Sequence, residues 1–168
     1  MNKLVRILKH RWLDERDAQR AIGTQALQRI EARVAGSEHH HSGEIRVCVE
    51  AGLPMSYLLR SASARERAVA MFGKLRVWDT EHNNGVLIYL LLAEHRIELV
   101  ADRGLNRHVD EARWHTITEA MREPFRAGQF EAGLNAAIDA VDALLAQHFP
   151  LTAGQANPNE LPNAPLLR

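Results

Sequence analysis

One short apolar run constrains the fold of this chain more than any other feature of its sequence. Val86 to Leu92 carries no charged residue and is interrupted only by the hydroxyl of Tyr89. Such a run is typical of a β-strand that is covered on both faces. It is also far shorter than the roughly 20 apolar residues that a membrane-spanning helix needs. The run therefore predicts a central strand in a sheet that has helices on either side.

Two segments of alternating polarity are predicted to flank this strand. In Glu44–Glu50 the apolar residues occupy every second position, and the same pattern recurs in Arg96–Ala101. A tight turn at Glu94 and His95 would join the central strand to Arg96–Ala101 as an antiparallel hairpin. The strand at Glu44–Glu50 reaches the central strand through a predicted helix, which favours a parallel, right-handed crossover. The chain is thus predicted to be a mixed α/β domain.

Four segments with helical spacing surround the predicted strands. Good N-cap residues or a regular apolar stripe mark them. The first predicted helix begins at Thr24. The other three extend over Ser63–Leu75, Asp110–Met121 and Gln129–Phe149. The last of these has the clearest apolar stripe, formed by Phe130, Leu134, Ile138, Val141 and Leu145.

The two ends of the chain differ in composition from the domain at residues 23–150. Residues 1–22 are predicted to form a basic helical arm that packs on the domain; a less favoured interpretation is that residues 1–13 lie on a membrane surface. Residues 151–168 are rich in Pro, Asn and Ala without periodicity, which predicts a disordered tail. Removing such a tail is expected to change stability little.

Charge and cysteine content exclude several classes of protein. The chain has 21 Lys plus Arg and 21 Asp plus Glu, so no overall positive field favours nucleic acid as a partner. The single cysteine, Cys48, is predicted to be a small core residue in a reducing compartment. Residues 1–13 lack the apolar segment and cleavage site of a secretory signal. We therefore expect a cytoplasmic protein without a membrane span.

Several common catalytic motifs are missing from the sequence. It contains no phosphate-binding loop followed by Lys and Ser or Thr, no nucleophile elbow and no zinc-protease helix. The consecutive histidines His39, His40 and His41 point about 100° apart on a regular helix, so they cannot all bind one ion from it. No organic cofactor is predicted.

Polar residues before the central strand suggest a different kind of site. The hairpin returns the exit of the last strand, at Asp102 and Arg103, to the edge of the sheet at which the central strand begins. Asp110 follows closely at the start of the next helix. Oxygen ligands that converge in this way bind calcium or magnesium, or activate water. The predicted cation ligands are Asp79, Asn83, Asn84, Asp102 and Asp110.

Simpler interpretations of these residues stay open. Residues 79–85 can be only a polar turn that introduces a buried strand, and Asp110 can be only a helix N-cap. The alternating oxygens of Asp79, Glu81 and Asn83 resemble a calcium loop, but Gly85 falls one position late and no carboxylate closes the loop. The segment is therefore not an EF-hand.

The order of several short motifs resembles the TPM domain, a family named after a thylakoid-lumen protein linked to photosystem II repair. Asn84-Gly85 precedes the apolar strand, and the hairpin ends near Gly104-Leu105. The run from Phe125 to Phe130 and the pair Gly133-Leu134 follow in the order found in the family. The resemblance covers about Thr24 to Pro150. Within it, Arg65–Leu105 is similar to a compact, cytoplasmic bacterial branch.

The resemblance implies a fold and two possible functions. It implies a three-layer α/β/α sandwich with a small mixed sheet. Calcium binding and acid phosphatase activity are attributed to some members. The favoured prediction is an accessory or binding domain that holds calcium or magnesium and acts through a protein partner. The alternative is a metal-assisted acid phosphatase in which Asp102 and Asp110 supply the carboxylates and Arg103 orients the phosphate.

Overall fold

The sheet of this protein is built around the strand that the sequence predicts as most buried. The computed structural model describes residues 2–152 and 154–168. Its strands are β1 (Glu44–Glu50), β2 (Gly85–Leu91), β3 (Arg96–Ala101) and β4 (Leu166–Leu167), in the spatial order β3-β2-β1-β4. β1 pairs with β2 in parallel and β2 pairs with β3 antiparallel, as predicted. All residues of β2 are buried.

The connection between β2 and β3 is longer than the predicted tight turn. A single 3-10 turn over Leu92–Glu94 follows β2, and His95 then takes a left-handed conformation with φ 48°. The extra turn replaces the Asn-Gly chemistry that a two-residue hairpin would need. The predicted hairpin itself is confirmed.

Helices cover both faces of the sheet, which gives the three-layer α/β/α sandwich. In chain order they are α1 (Lys3–Arg11), α2 (Glu15–Ile22), α3 (Thr24–Ser37), α4 (Met55–Leu59), α5 (Ala64–Lys74), α6 (Arg103–Asn106), α7 (Glu111–Ala120), α8 (Arg122–Arg126) and α9 (Phe130–His148). On one face, alternate residues of β1 and β2 pack with α2, α3 and the apolar stripe of α9. On the other face they pack mainly with α5.

Cys48 belongs to the second of these faces. Its side chain is fully buried in the apolar cluster that also contains Leu87 and Met71. Burial is the main cause that raises the pKa of the Cys48 thiol to about 12. The residue therefore packs as a small apolar side chain, as predicted, and has little thiolate character.

A buried ion pair that the sequence does not reveal ties α5 to the sheet. The guanidinium of Arg67 donates to both carboxylate oxygens of Glu50, at 2.8 and 2.5 Å, and both side chains are almost completely buried. The hydroxyl of Tyr89 donates to the same carboxylate at 2.6 Å. Burial alone would lower the pKa of Arg67, but the pair with Glu50 raises it. The carboxylate is thus fully satisfied by two neighbouring groups.

The segment predicted as a disordered tail is instead ordered against β1. Leu166 and Leu167 pair in parallel with β1, and Leu161 is buried. The guanidinium of Arg46 donates to the carbonyl oxygens of Pro162, at 2.8 Å, and of Ala164. The physical reason is the open edge of β1, whose unpaired backbone groups are satisfied by this segment even though it has no periodic pattern. Ala153 of the predicted tail and Met1 of the predicted arm lie outside the described residues.

The predicted N-terminal arm forms two helices with different surroundings. α2 belongs to the core, since Ala18 and Ile22 are buried beneath it. α1 packs against α4 at the surface, and His10 is its buried residue. Across the described residues, no helix combines the length and apolar character that a bilayer crossing requires.

We expect Arg67→Met to destabilise the fold strongly. The variant leaves the Glu50 carboxylate buried without its counter-ion, which costs about 3–5 kcal/mol in free energy of unfolding. The matched control is Arg29→Met, because Arg29 also makes a two-pronged pair, with Glu131, but at the surface. Arg29→Met should lower the free energy of unfolding by less than about 1 kcal/mol. Urea unfolding measures both values, and similar losses would contradict the assigned importance of burial.

We also expect removal of residues 151–168 to destabilise the protein by at least about 3 kcal/mol. The deletion exposes the edge of β1, removes buried Leu161 and leaves Arg46 without its carbonyl acceptors. Pro158→Ala changes an exposed residue of the same segment and should alter stability by less than about 0.5 kcal/mol. A truncated protein that melts like the full chain would show that the segment contributes nothing to the fold.

Candidate functional site

Three loops meet where β1 and β2 begin and β3 ends. The amide of Asp102 donates to the carbonyl oxygen of Gly85 at 2.9 Å, and the amide of Gly104 donates to that of Asn83 at 2.9 Å. A Cβ atom on Gly104 would overlap the carbonyl oxygens of His82 and Asn83, so only glycine permits this approach. We call the region formed by residues 38–44, 79–84 and 102–110 the amino-end edge. Its existence agrees with the predicted strand directions.

Asn83 and Arg103 are in direct contact at this edge. Asn83 has a left-handed backbone, with φ 52°, which asparagine tolerates better than most residues. Its side-chain oxygen accepts a hydrogen bond from Nε of Arg103 at 3.1 Å. The rest of the Arg103 side chain is exposed. A guanidinium is therefore held beside the amino-end edge with donors that face solvent.

Asn84 is fully buried at the start of β2. Its Nδ2 donates to the hydroxyl of Ser42 at 3.3 Å, and its amide donates to the hydroxyl of Thr80 at 3.1 Å. Its side-chain oxygen Oδ1 has no hydrogen-bond partner among the described residues. A buried acceptor without a donor costs about 1–3 kcal/mol unless water or a cation satisfies it.

Asp102 combines a structural contact with a free oxygen. Its Oδ1 accepts from the amide of Arg103 at 2.7 Å at the beginning of α6. Its Oδ2 is buried and finds no hydrogen-bond donor within the described part of the chain. The backbone amide of Asp102 is hydrogen-bonded to Gly85, and Asn84 directly precedes Gly85 in the chain. Each of these two residues contributes one buried oxygen without a partner in the described chain to the amino-end edge.

The other two predicted acidic ligands are engaged elsewhere. Asp79 is exposed and pairs with Arg76 at 2.7 Å. Asp110 is the N-cap of α7, where its Oδ1 accepts from the amide of Arg113 at 2.8 Å, which is the capping interpretation that the sequence leaves open. In residues 2–152 and 154–168, no three His, Cys, Asp or Glu side chains are grouped closely enough to hold a metal ion.

The histidine run before β1 has a mixed environment. His39 and His40 are exposed, whereas the ring of His41 is fully buried. One ring nitrogen of His41 lies 3.0 Å from the carbonyl oxygen of Gly43, and the other lies 3.3 Å from the carboxylate of Asp142. Burial lowers the pKa of His41, which favours the neutral ring. The three rings do not share one environment.

Two buried carboxylates that sequence reasoning missed also belong to the amino-end edge. Glu44 has no exposed surface; its Oε2 accepts from the amide of Leu161 at 3.2 Å, and its Oε1 lacks a partner in the described chain. Burial, with a further contribution from nearby Glu38, raises the pKa of Glu44 to about 7. Glu38 accepts from Asn163 at 2.9 Å, and burial raises its pKa as well. The alternation in β1 places Glu44 on its mixed face, but nothing in the local sequence reveals the segment that buries it.

A solvent-open cleft of about 540 Å³ borders the amino-end edge at Ser42 and Glu81. Ser42, the hydrogen-bond partner of Asn84, forms part of its wall. Polar groups that line the cleft include Glu81, His82, His148 and Glu160. The cleft therefore offers imidazole and carboxylate groups close to Ser42, the hydrogen-bond partner of Asn84.

Comparison with known proteins identifies a family and a fold. A family model described as the TPM domain matches residues 16–144. The structure is similar to the NMR structure of the BA42 protein from the psychrophilic bacterium Bizionia argentinensis, with 28% sequence identity and a TM-score of 0.74; the match covers 86% of this chain and 94% of that one. It also resembles the N-terminal domain of a P. gingivalis protein, with 19% identity and a TM-score of 0.62 over 81% of this chain and 90% of that one. No curated protein matches the sequence.

We expect Glu44 to make stability depend on pH. Its carboxyl binds a proton more tightly in the folded chain, with a pKa of about 7, than at its ordinary value of 4.5. Stability from this group is therefore complete below pH 4.5 and declines as the pH rises to about 7. Glu44→Gln removes the titration, so the variant should gain about 1–3 kcal/mol relative to wild type between pH 4 and pH 8. Urea unfolding at both pH values measures the gain.

The control for this experiment is Glu111→Gln, which makes the same change at an exposed position. Because Glu111 lies in the first turn of α7, where a negative charge is favourable, this variant should not gain stability relative to wild type between pH 4 and pH 8. A Glu44→Gln variant that behaves like this control would show that the pKa of Glu44 is the same in the folded and the unfolded chain.

Proposed function

This chain belongs to the TPM domain family, and on that premise we propose that it is an accessory domain that binds a divalent cation at its amino-end edge and acts through a protein partner. The observation that carries the proposal is that Asn84 and Asp102, which lie at the ends of neighbouring strands, each have a buried oxygen without a hydrogen-bond partner among the described residues. Oxygens of amide and carboxylate groups are the ligands that calcium and magnesium prefer.

The proposed ligand set is narrower than the one that the sequence predicts. Asn84 Oδ1 and Asp102 Oδ2 are proposed as direct ligands, because both oxygens lack a donor within the described residues. Asn83 is proposed to position the site, since its side-chain oxygen is occupied by Arg103. Asp79 and Asp110 are omitted because each has another contact. Two protein oxygens leave most coordination positions to water, which favours weak binding.

The partner part of the proposal rests on the cleft beside Ser42. It is open to solvent and presents Glu81, Glu160, His82 and His148, which suits the polar side chains of a partner protein. Ser42 connects this cleft to the proposed site, because its hydroxyl accepts a hydrogen bond from Nδ2 of Asn84. The cytoplasm is retained as the proposed compartment, because a single buried thiol such as Cys48 is typical of reducing conditions.

A metal-assisted acid phosphatase is the second candidate function. It is favoured by the exposed guanidinium of Arg103, which the contact with Asn83 holds beside Asp102. A bound cation would activate water there, and Arg103 would orient a phosphate through its remaining donors. Hydrolysis of p-nitrophenyl phosphate that requires the cation and disappears in Arg103→Gln would favour this function over binding alone.

We expect millimolar calcium or magnesium to raise the melting temperature, because a ligand selective for the folded state stabilises it. Asp102→Asn should abolish most of this rise, since it removes the charge while asparagine remains a good N-cap. Asp110→Asn is the matched control: it makes the same change at another N-cap and should respond like wild type. Thermal melts with and without each metal ion provide the measurement.

Two results would contradict the proposed cation site. One is a melting temperature of the wild type that neither ion changes. The other is an equal response of wild type and Asp102→Asn, which would show that Asp102 is only a capping residue.

A further inference from the structure

Helix α1 is oriented the opposite way from an ordinary amphipathic surface helix, because its polar side faces the domain. Arg6 pairs with Glu94 at 2.8 Å. The amide of Leu53 donates to Nδ1 of His10 at 2.9 Å, so Nε2 carries the ring proton and donates to Glu94 at 3.2 Å. The hydrogen bond from His10, together with Arg6, lowers the pKa of Glu94 to about 2. One carboxylate thus fixes the helix through two side chains.

The apolar side of α1 faces solvent. Its exposed fractions are 69% for Leu4, 53% for Val5, 59% for Leu8 and 82% for Trp12. At 100° per residue these four side chains fall within a sector of about 100° on the helix. Such a stripe normally packs against a core. α4, which packs against α1, exposes Met55 and Leu59 as well.

Cations border this apolar sector on both sides. The same helical geometry places Arg11 about 20° beyond Leu4 and Lys9 about 40° beyond Val5. α1 contains no acidic residue, and neither Lys9 nor Arg11 forms an ion pair within residues 2–152 and 154–168. The whole chain has no net charge, so the positive charge of this face is a local feature.

We propose that the outer face of α1, formed by Leu4, Val5, Leu8, Lys9, Arg11 and Trp12, docks the domain on an anionic phospholipid bilayer. The apolar sector would enter the boundary between head groups and acyl chains, while Lys9 and Arg11 reach the phosphates on either side. A tryptophan at the end of such a helix is suited to the interface, since its ring is both apolar and polar. The contacts of Arg6 and His10 with Glu94 hold this face outward before any membrane is present.

Charge explains why a bilayer fits this face better than a second copy of the chain. A second α1 face would bring further cations and no acidic residue to neutralise Lys9 and Arg11, because α1 contains none. An anionic bilayer instead contributes about 1 kcal/mol of attraction for each Lys or Arg near its surface.

The test is sedimentation of the full chain with phosphatidylcholine vesicles that contain or lack phosphatidylglycerol, at low salt and with a metal chelator present. The chelator separates this surface from the proposed cation site. Wild type should bind the vesicles that contain phosphatidylglycerol. Leu8→Asp should weaken binding at least tenfold, whereas the matched control Val69→Asp, at an exposed apolar residue of α5, should bind like wild type. Replacing Lys9 and Arg11 by Gln together should also weaken binding about tenfold or more.

Three outcomes would overturn the proposal. The first is no binding of wild type to the anionic vesicles. The second is an equal loss in Leu8→Asp and Val69→Asp, which would show that the site lies elsewhere. The third is self-association of wild type, measured by analytical ultracentrifugation, that Leu8→Asp abolishes, because the face would then be an interface between copies of the chain.

Discussion

Burial of β2 on both faces is the constraint on which the rest of this structure depends. A strand covered by helices on either side carries side chains that are apolar or have a dedicated partner, as Tyr89 has in Glu50. Polar groups that accompany the strand must therefore gather at its ends. Asn83 and Asn84 lie at one end, and the turn that contains Glu94 lies at the other. The candidate cation site and the anchor of α1 are consequences of the same buried strand.

Much of this arrangement follows from sequence patterns with a direct physical cause. The apolar run at Val86–Leu92 and the alternation in its neighbours predict the order and directions of β1, β2 and β3, because side-chain period and crossover handedness leave few alternatives. The position of residues 154–168 does not follow, since β4 satisfies backbone groups of β1 and backbone pairing leaves no periodic signal. The burial of Glu44 could not be predicted for the same reason, because the segment that covers it, which contains Leu161, has no periodic pattern.

The candidate site was predicted at the level of segments and less well at the level of side chains. Strand directions bring Asn83, Asp102 and Arg103 to one edge, as expected. Strand directions do not determine which group each carboxylate side chain contacts. Asp110 turns back to cap its own helix and Asp79 pairs with Arg76, because such local contacts close only short loops and therefore cost little chain entropy.

The pairing of β1 with β4 has a consequence for the time course of folding. Ala164, which accepts a hydrogen bond from Arg46, follows it by 118 residues in the chain. At ribosomal rates of 5–20 residues per second, roughly 6–24 s pass between the synthesis of the two segments. During that interval the backbone groups along the outer edge of β1 have no partner in β4 and are open to pairing with other chains. The protein should accordingly be vulnerable to aggregation while it is made, at a stage that measurements on the finished fold do not sample.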